Sequence, residues 1–176
     1  MANADKPIDE KMLKETNRLV TKNTIAYRCH GAVAGEYTNT DMAAGDTMFG
    51  DHETLIRRIP SLLKSTENAV QSSGIHPVIL SARFHGFFEY LHPFRDGNGR
   101  TGRLLSNQIL VRMGHPQIII PKEERGAYIT ALRYIRKEGT DEHLVSFFFN
   151  AAIKRMESEM SQKRDNTERQ TTFMLW

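Results

Sequence analysis

Two apolar helical stretches joined by a polar, glycine-rich loop constrain this chain more than any other feature. Ile79, Leu80, Phe84, Phe87, Phe88 and Leu91 recur at spacings of one, three and four, the pattern of a buried helical face. Pro77 stands at the start of that pattern, where a helix has no use for an N–H. Pro93 and Gly97 stop it, and Leu104, Leu105, Ile109, Leu110 and Met113 resume it as far as Gly114. The polar residues from His92 to Arg103 are therefore predicted to link the C-terminus of one apolar helix to the N-terminus of the next.

The rest of the chain reads as mostly helical. Met12, Leu13, Leu19, Val20 and Ile25 suggest one or two helices between Asp9 and Arg28. Gly31 to Gly50 is glycine-rich, and its β-prone pieces Glu36–Thr40 and Thr47–Phe49 read as an irregular loop or a hairpin. Leu55, Ile56, Ile59, Leu62, Leu63 and Val70 predict a helix ended by Ser72-Ser73-Gly74. Pro121 opens another, with Tyr128, Ile129, Leu132 and Ile135 inward and Gly139 at its end. Thr140 or Asp141 would cap a last helix carrying Leu144, Phe147, Phe148, Ala151 and Ile153. The expected class is all-α with a small β-hairpin. One domain is expected over residues 1–176, with a core at about 25–155 and a polar tail from 156.

Composition narrows the partners. Basic residues number 24 against 21 acidic, a net charge of +3 spread evenly, which gives no reason to expect nucleic acid. No run approaches the roughly 20 apolar residues that span a bilayer, so no membrane partner is expected. The single cysteine, Cys29, rules out an internal disulfide and fits a reducing compartment. With no apolar leader at the amino terminus, a cytoplasmic location is the expectation.

The linking loop is His92-Pro93-Phe94-Arg95-Asp96-Gly97-Asn98-Gly99-Arg100-Thr101-Gly102-Arg103. Its last part satisfies Gly-x-Gly-x-x-Gly, but a helical pattern precedes it and no βαβ alternation follows. The dinucleotide-fold reading is therefore rejected. What remains is an anion site, because glycines admit a ligand to the backbone and the first N–H groups of a helix have no internal partner. Arg100 and Arg103, three apart, either flank one phosphate chain or form an ordinary solvated edge. Asp96 either holds a hard cation beside phosphates or caps the following helix. His92 is a candidate general base or a structural histidine, and Phe94 reads as a core anchor.

The loop fills every fixed position of His-x-Phe-x-(Asp/Glu)-Gly-Asn-Gly-Arg-x-x-Arg, and so resembles the Fic family of AMP-transferring enzymes, in its small single-domain bacterial form. Gly35-Glu36-Tyr37 to Phe49 resembles that family's flap, and Gly114-His115-Pro116 with Ile120-Pro121 is also similar to members. The resemblance implies ATP as substrate, Mg2+ held by Asp96, and a hydroxyl of a target Ser, Thr or Tyr deprotonated by His92. It further implies an anion hole at Gly97, Asn98 and Gly99, with Thr101 and Gly102 also among the nucleotide-binding residues. Arg100 would neutralise charge, Arg103 would hold the γ-phosphate, and the target would dock along Thr47, Met48 and Phe49.

Many members carry an inhibitory helix with (Ser/Thr)-x-x-x-Glu-(Gly/Asn). The nearest stretch here is Ser161-Gln162-Lys163-Arg164-Asp165-Asn166, where Asp165 is one methylene shorter than glutamate. It is either a C-terminal inhibitory segment or a solvated tail. In the second case a toxin-like arrangement with a separate antitoxin-like protein, or self-association, would supply the restraint. Two other functions stay open: transfer of another phosphate-containing group (phosphorylation or phosphocholination), and a catalytically silent interaction module. The kinase-like relatives typically have lysine where this chain has Gly99.

Overall fold

The computed structural model describes residues 6–44, 47–72 and 74–174, with side chains as far as Lys163 apart from that of Ala44. Asp9 opens α1 (Glu10–Thr21) by accepting from the Met12 N–H, and α2 (Ile25–Arg28) follows closely. A two-stranded antiparallel hairpin pairs β1 (Ala43–Ala44) with β2 (Thr47–Met48), in the register Ala43 to Met48 and Ala44 to Thr47. After it come α3 (His52–Arg57), α4 (Ile59–Ser72), α5 (Pro77–Leu91) and α6 (Asn98–Arg112). A 3-10 turn at Lys122–Glu124 leads into α7 (Arg125–Glu138), and α8 (Glu142–Met174) ends the order. The fold is all-α, as expected. No helix among the described residues is long and apolar enough to cross a membrane.

Helix α5 is the centre of the molecule, packing against α4, α6, α7 and α8. Its inward residues divide between two apolar clusters. Leu80, Phe84, Phe88 and Leu91 join Leu13, Ile59, Leu63, Phe94, Leu105 and Ile109 on one side. Val78 and Ala82 join Leu110, Ile118, Tyr128, Leu144 and Phe148 on the other. A helix apolar nearly all round belongs between two packed layers, which is where this one sits. Gly86 permits this closeness, since a Cβ there would lie 2.4 Å from Ile135 Cδ1 and 2.9 Å from Leu144 Cδ2.

Several local expectations change. The single helix read from Leu55 to Val70 is two, broken between Arg57 and Ile59, because Pro60 has no N–H with which to continue the ladder of α3. The first hairpin strand is Ala43–Ala44, not Glu36–Thr40. Tyr37 instead forms an antiparallel bridge with Phe94, and the Thr38 N–H donates to the Pro93 carbonyl at 2.8 Å. Leu104 (51% exposed) and Ile153 (47%) face outward rather than inward. The helix α1, upstream of the expected core, packs on α6. There Leu13 is fully buried, and Ile8, just ahead of α1, donates its N–H to Glu67 at 3.1 Å. Glu67 also takes a two-pronged ion pair from Arg112, at 2.6 and 2.7 Å, which holds its carboxyl down at about 2.

Candidate active site

Helix α5 ends at His92, whose own backbone is left-handed (φ 46°, ψ 55°) while its N–H still donates to the Phe88 carbonyl at 2.9 Å. That residue turns the chain out of the helix. Pro93 and Phe94 then run beside the Tyr37 segment, with Phe94 buried as the core anchor. Asn98 closes the loop on itself: its Oδ1 accepts from the Phe94 N–H at 3.0 Å and its Nδ2 donates to the Phe94 carbonyl at 2.6 Å. From α1, the Asn17 side chain donates to the Asp96 carbonyl at 2.9 Å and to Thr101 Oγ1 at 3.2 Å. Gly97, at φ 82°, caps α6 where a Cβ would strike Thr21 Cγ2 at 2.5 Å. Its carbonyl receives the Thr101 N–H at 2.9 Å. The N–H groups of Asn98, Gly99 and Arg100 thus belong to the first turn, with no carbonyl inside the helix to bond.

That turn opens on a cavity of about 720 Å³ lined in part by Glu89, His92, Asp96, Gly99, Arg100 and Arg103. Cationic side chains surround it, with Arg28, Arg95, Lys122 and Arg125 joining the two loop arginines. Partial positive charge at the helix start adds to theirs. A nucleotide polyphosphate matches this field and size. The far wall is apolar, from Ile120, Pro121, Ile129 and Leu132.

Asp96 has only 13% of its side chain exposed, and its Oδ2 lies 3.3 Å from Arg28 Nε and 3.1 Å from Arg100 Nη2. One carboxylate in the lining of that cavity fits a Mg2+ ion that takes most of its oxygens from phosphates and water. The two guanidinium groups would have to yield part of Asp96 to it. Arg100 is further held by donation to the Val20 carbonyl at 2.7 Å.

His92 is mostly buried. The Phe49 ring stacks on it at 3.8 Å between centroids, 16° from parallel. Burial, then the charge of Arg136, pushes its imidazole down to about 4, so the ring is neutral at ordinary pH. A smaller cavity of about 240 Å³ reaches His92 from the hairpin side, past Thr47, Phe49 and Arg136.

Comparison with known proteins follows the same loop. Residues 7–110, more than half of the chain, match the model of the Fic/DOC family. The chain belongs to that family. It is 36% identical over 126 residues to "Protein adenylyltransferase Fic" of Drosophila grimshawi, covering 70% of this chain but only 25% of that protein. Among solved structures, a Fic domain containing signaling protein from Bacteroides thetaiotaomicron superposes with a TM-score of 0.73 at 25% identity. It covers 86% of this chain and 62% of the other. Fic-1 from C. elegans superposes at 0.70 with 23% identity, over 91% of this chain and 45% of that one.

Within this Fic site the loop residues part company. His92, Asp96, Gly97, Asn98, Gly99, Arg100 and Arg103 border one cavity. Thr101 and Gly102 do not, because they lie on the inward face of α6. Thr101 is fully buried under Asn17, and a Cβ on Gly102 would sit 2.8 Å from His85 Nδ1. The Asn98 side chain is spent on the loop, leaving its N–H for a ligand. In the flap Met48 is exposed, whereas the Phe49 side chain is buried against His92. Ser161 is exposed on α8, and the side chains of Asp165 and Asn166 lie outside the described residues. Sequence reasoning missed Arg28, Glu89 and Arg136. Glu89 could have been found from its position three residues before His92, on the same helical face.

Proposed function

We propose that this protein is an adenylyltransferase that moves AMP from ATP to a Ser, Thr or Tyr hydroxyl of a target protein. What carries the reading is one cavity that combines a neutral, mostly buried His92, a helix start with free N–H groups, and arginines at its rim. The adenylyltransferase name of the Drosophila relative supports it, although the chain spans about a quarter of that relative's length. In the reaction the target oxygen attacks the α-phosphorus, the bond from that phosphorus to the bridging oxygen breaks, and pyrophosphate leaves. His92 takes the hydroxyl proton. The N–H groups of Asn98 and Gly99 hold phosphate oxygens, Arg100 offsets charge, and Arg103 holds the far phosphate. Asp96 would hold Mg2+, which when bound neutralises phosphate charge.

Incubation with Mg2+ and α-labelled ATP, with γ-labelled ATP alongside, tests the reading. Label from the α-position on a protein band, lost in His92→Ala, is expected. Transfer from the γ-position, or none, would overturn it. The segment of Ser161, Asp165 and Asn166 is a finer part of the same proposal, as an inhibitory element. Raised AMP transfer in Asp165→Ala would support it, and unchanged transfer would sink it. In that event an antitoxin-like partner or self-association becomes the restraint to look for.

A further inference from the structure

A base buried as His92 is buried faces a difficulty. The imidazolium it forms on taking a proton is poorly solvated, and Arg136 stands nearby with the wrong sign. The ring must also present the right nitrogen, and its buried Nδ1 has no close hydrogen-bond partner among the described residues, only the Glu89 backbone, whose pull on the ring offsets part of its depression. One turn back on α5, the Glu89 carboxyl is equally stranded. Its side chain is only 12% exposed, Oε1 has no partner among the described residues, and Oε2 lies 3.8 Å from His92 Nδ1. A carboxyl oxygen facing a ring nitrogen at that distance needs only a small rotation to bond.

We propose that Glu89 is a positioning residue for His92: its carboxylate holds the proton-bearing Nδ1, so that Nε2 is left to take the proton, and it offsets the charge the ring then acquires. The inference rests on the reading of His92 as the base. The groups facing this pair fit the assignment. From α7, Arg136 donates to the Glu89 and Tyr90 carbonyls, stacks on the Phe49 and Tyr90 rings, and so fixes the backbone beneath the pair. Phe49 covers the other face of the imidazole. From α6, Arg103 comes near the carboxyl beside Gly99, where a Cβ would be 3.2 Å from Arg103 Nη1 and 3.8 Å from Glu89 Oε1. Tyr128, over whose ring Arg103 lies at 5.9 Å, shares a 2.7 Å hydrogen bond with the fully buried His85. Burial pushes Glu89 up to about 7, against the pull of Arg103 and Arg136, so the carboxylate is available at and above neutrality. His85, one turn further back, is kept neutral by burial and Arg103.

The obvious alternative is that Glu89 serves Arg103 and thereby ATP. Glu89→Gln separates the two, with Glu89→Asp keeping the charge on a shorter arm. In 15N-labelled full-length protein, the imidazole nitrogen shifts of His92, assigned by their loss in His92→Ala, report its tautomer whether or not any transfer occurs. The expected result is a wild-type ring protonated at Nδ1 and a Glu89→Gln ring shifted toward Nε2 protonation, with Glu89→Asp between. Where AMP transfer is active, kcat in Glu89→Gln should fall on the order of 10–100-fold, with KM for ATP unchanged and the rise of rate through neutral pH lost. Unaltered His92 nitrogen shifts in both variants would overturn the proposal, as would a loss confined to KM for ATP, which would assign Glu89 to Arg103. Failure of transfer in the wild type would count against the adenylyltransferase reading and leave the tautomer measurement decisive for this one.

Discussion

The Phe49 ring lies flat against the His92 imidazole, 3.8 Å between centroids, and Arg136 sits 4.2 Å from the same Phe49 ring. The end of the hairpin therefore forms one face of the pocket that holds the histidine. Phe49→Ala should remove that face and open a void beside a residue whose placement the site depends on. Loss of a buried aromatic side chain costs about 3 kcal/mol or more, readable as a lowered denaturant midpoint. The His92 ring, newly reached by water, should titrate closer to the ordinary histidine range. An NMR titration that leaves His92 where it was would show that burial by Phe49 is not what depresses it.

Gly97 carries a second, independent constraint. Its φ of 82° is in the left-handed region, and a Cβ would come 2.5 Å from Thr21 Cγ2 and 3.1 Å from Asn17 Nδ2. Gly97→Ala should destabilise by at least about 2 kcal/mol, combining backbone strain with a clash that displaces the buried Thr21 and Asn17 side chains. Gly114 is a fair control, since it is also left-handed (φ 76°) but has open space around it. Gly114→Ala should therefore cost only the strain, and thermal melts of the two variants should separate.

How far the sequence reached follows from where each constraint resides. The two helices and the loop were legible because Pro77, Pro93, Gly97 and the apolar spacing act locally. The hairpin register was not, because Tyr37 and Thr38 are claimed by the Phe94 and Pro93 backbone, a pairing distant in sequence. Arg28 reaches Asp96 from a separate short helix, and Asn17 ties α1 to the loop in the same way. No local pattern carries such contacts. Glu89 escaped for another reason. Reading α5 by its apolar positions passes over a buried carboxylate between Phe88 and Tyr90.

Asp96 is shared between Arg28 and Arg100, so a bound cation must compete with both. Asp96→Asn removes the anion and releases the two guanidinium groups toward phosphate. Nucleotide affinity without metal should therefore hold or rise, while its enhancement by Mg2+ should fall about tenfold. Calorimetric titration of ATP in Mg2+ and in EDTA gives the ratio directly. An unchanged ratio would move the cation away from Asp96.

Buried Glu89 also makes the stability of the fold depend on pH. The Glu89 carboxyl is raised by burial from the ordinary range near 4.5 to about 7 in the folded protein. Between those values the folded state binds the proton that the unfolded state has released, so stability falls as pH rises through this window. The full displacement is worth about 3 kcal/mol. His85 and His92 work in the opposite sense: both are depressed, so they favour the folded state increasingly as pH rises toward 6.5. Those contributions are present with or without Glu89 and largely cancel when Glu89→Gln is compared with the wild type. The stability of the variant relative to the wild type should thus climb from pH 4.5 to about 7 and level off above it. Parallel denaturant unfolding at several pH values measures this difference. A flat line would mean that Glu89 is solvated, or paired with Arg103, well enough in the folded protein to ionise as it does in the unfolded chain.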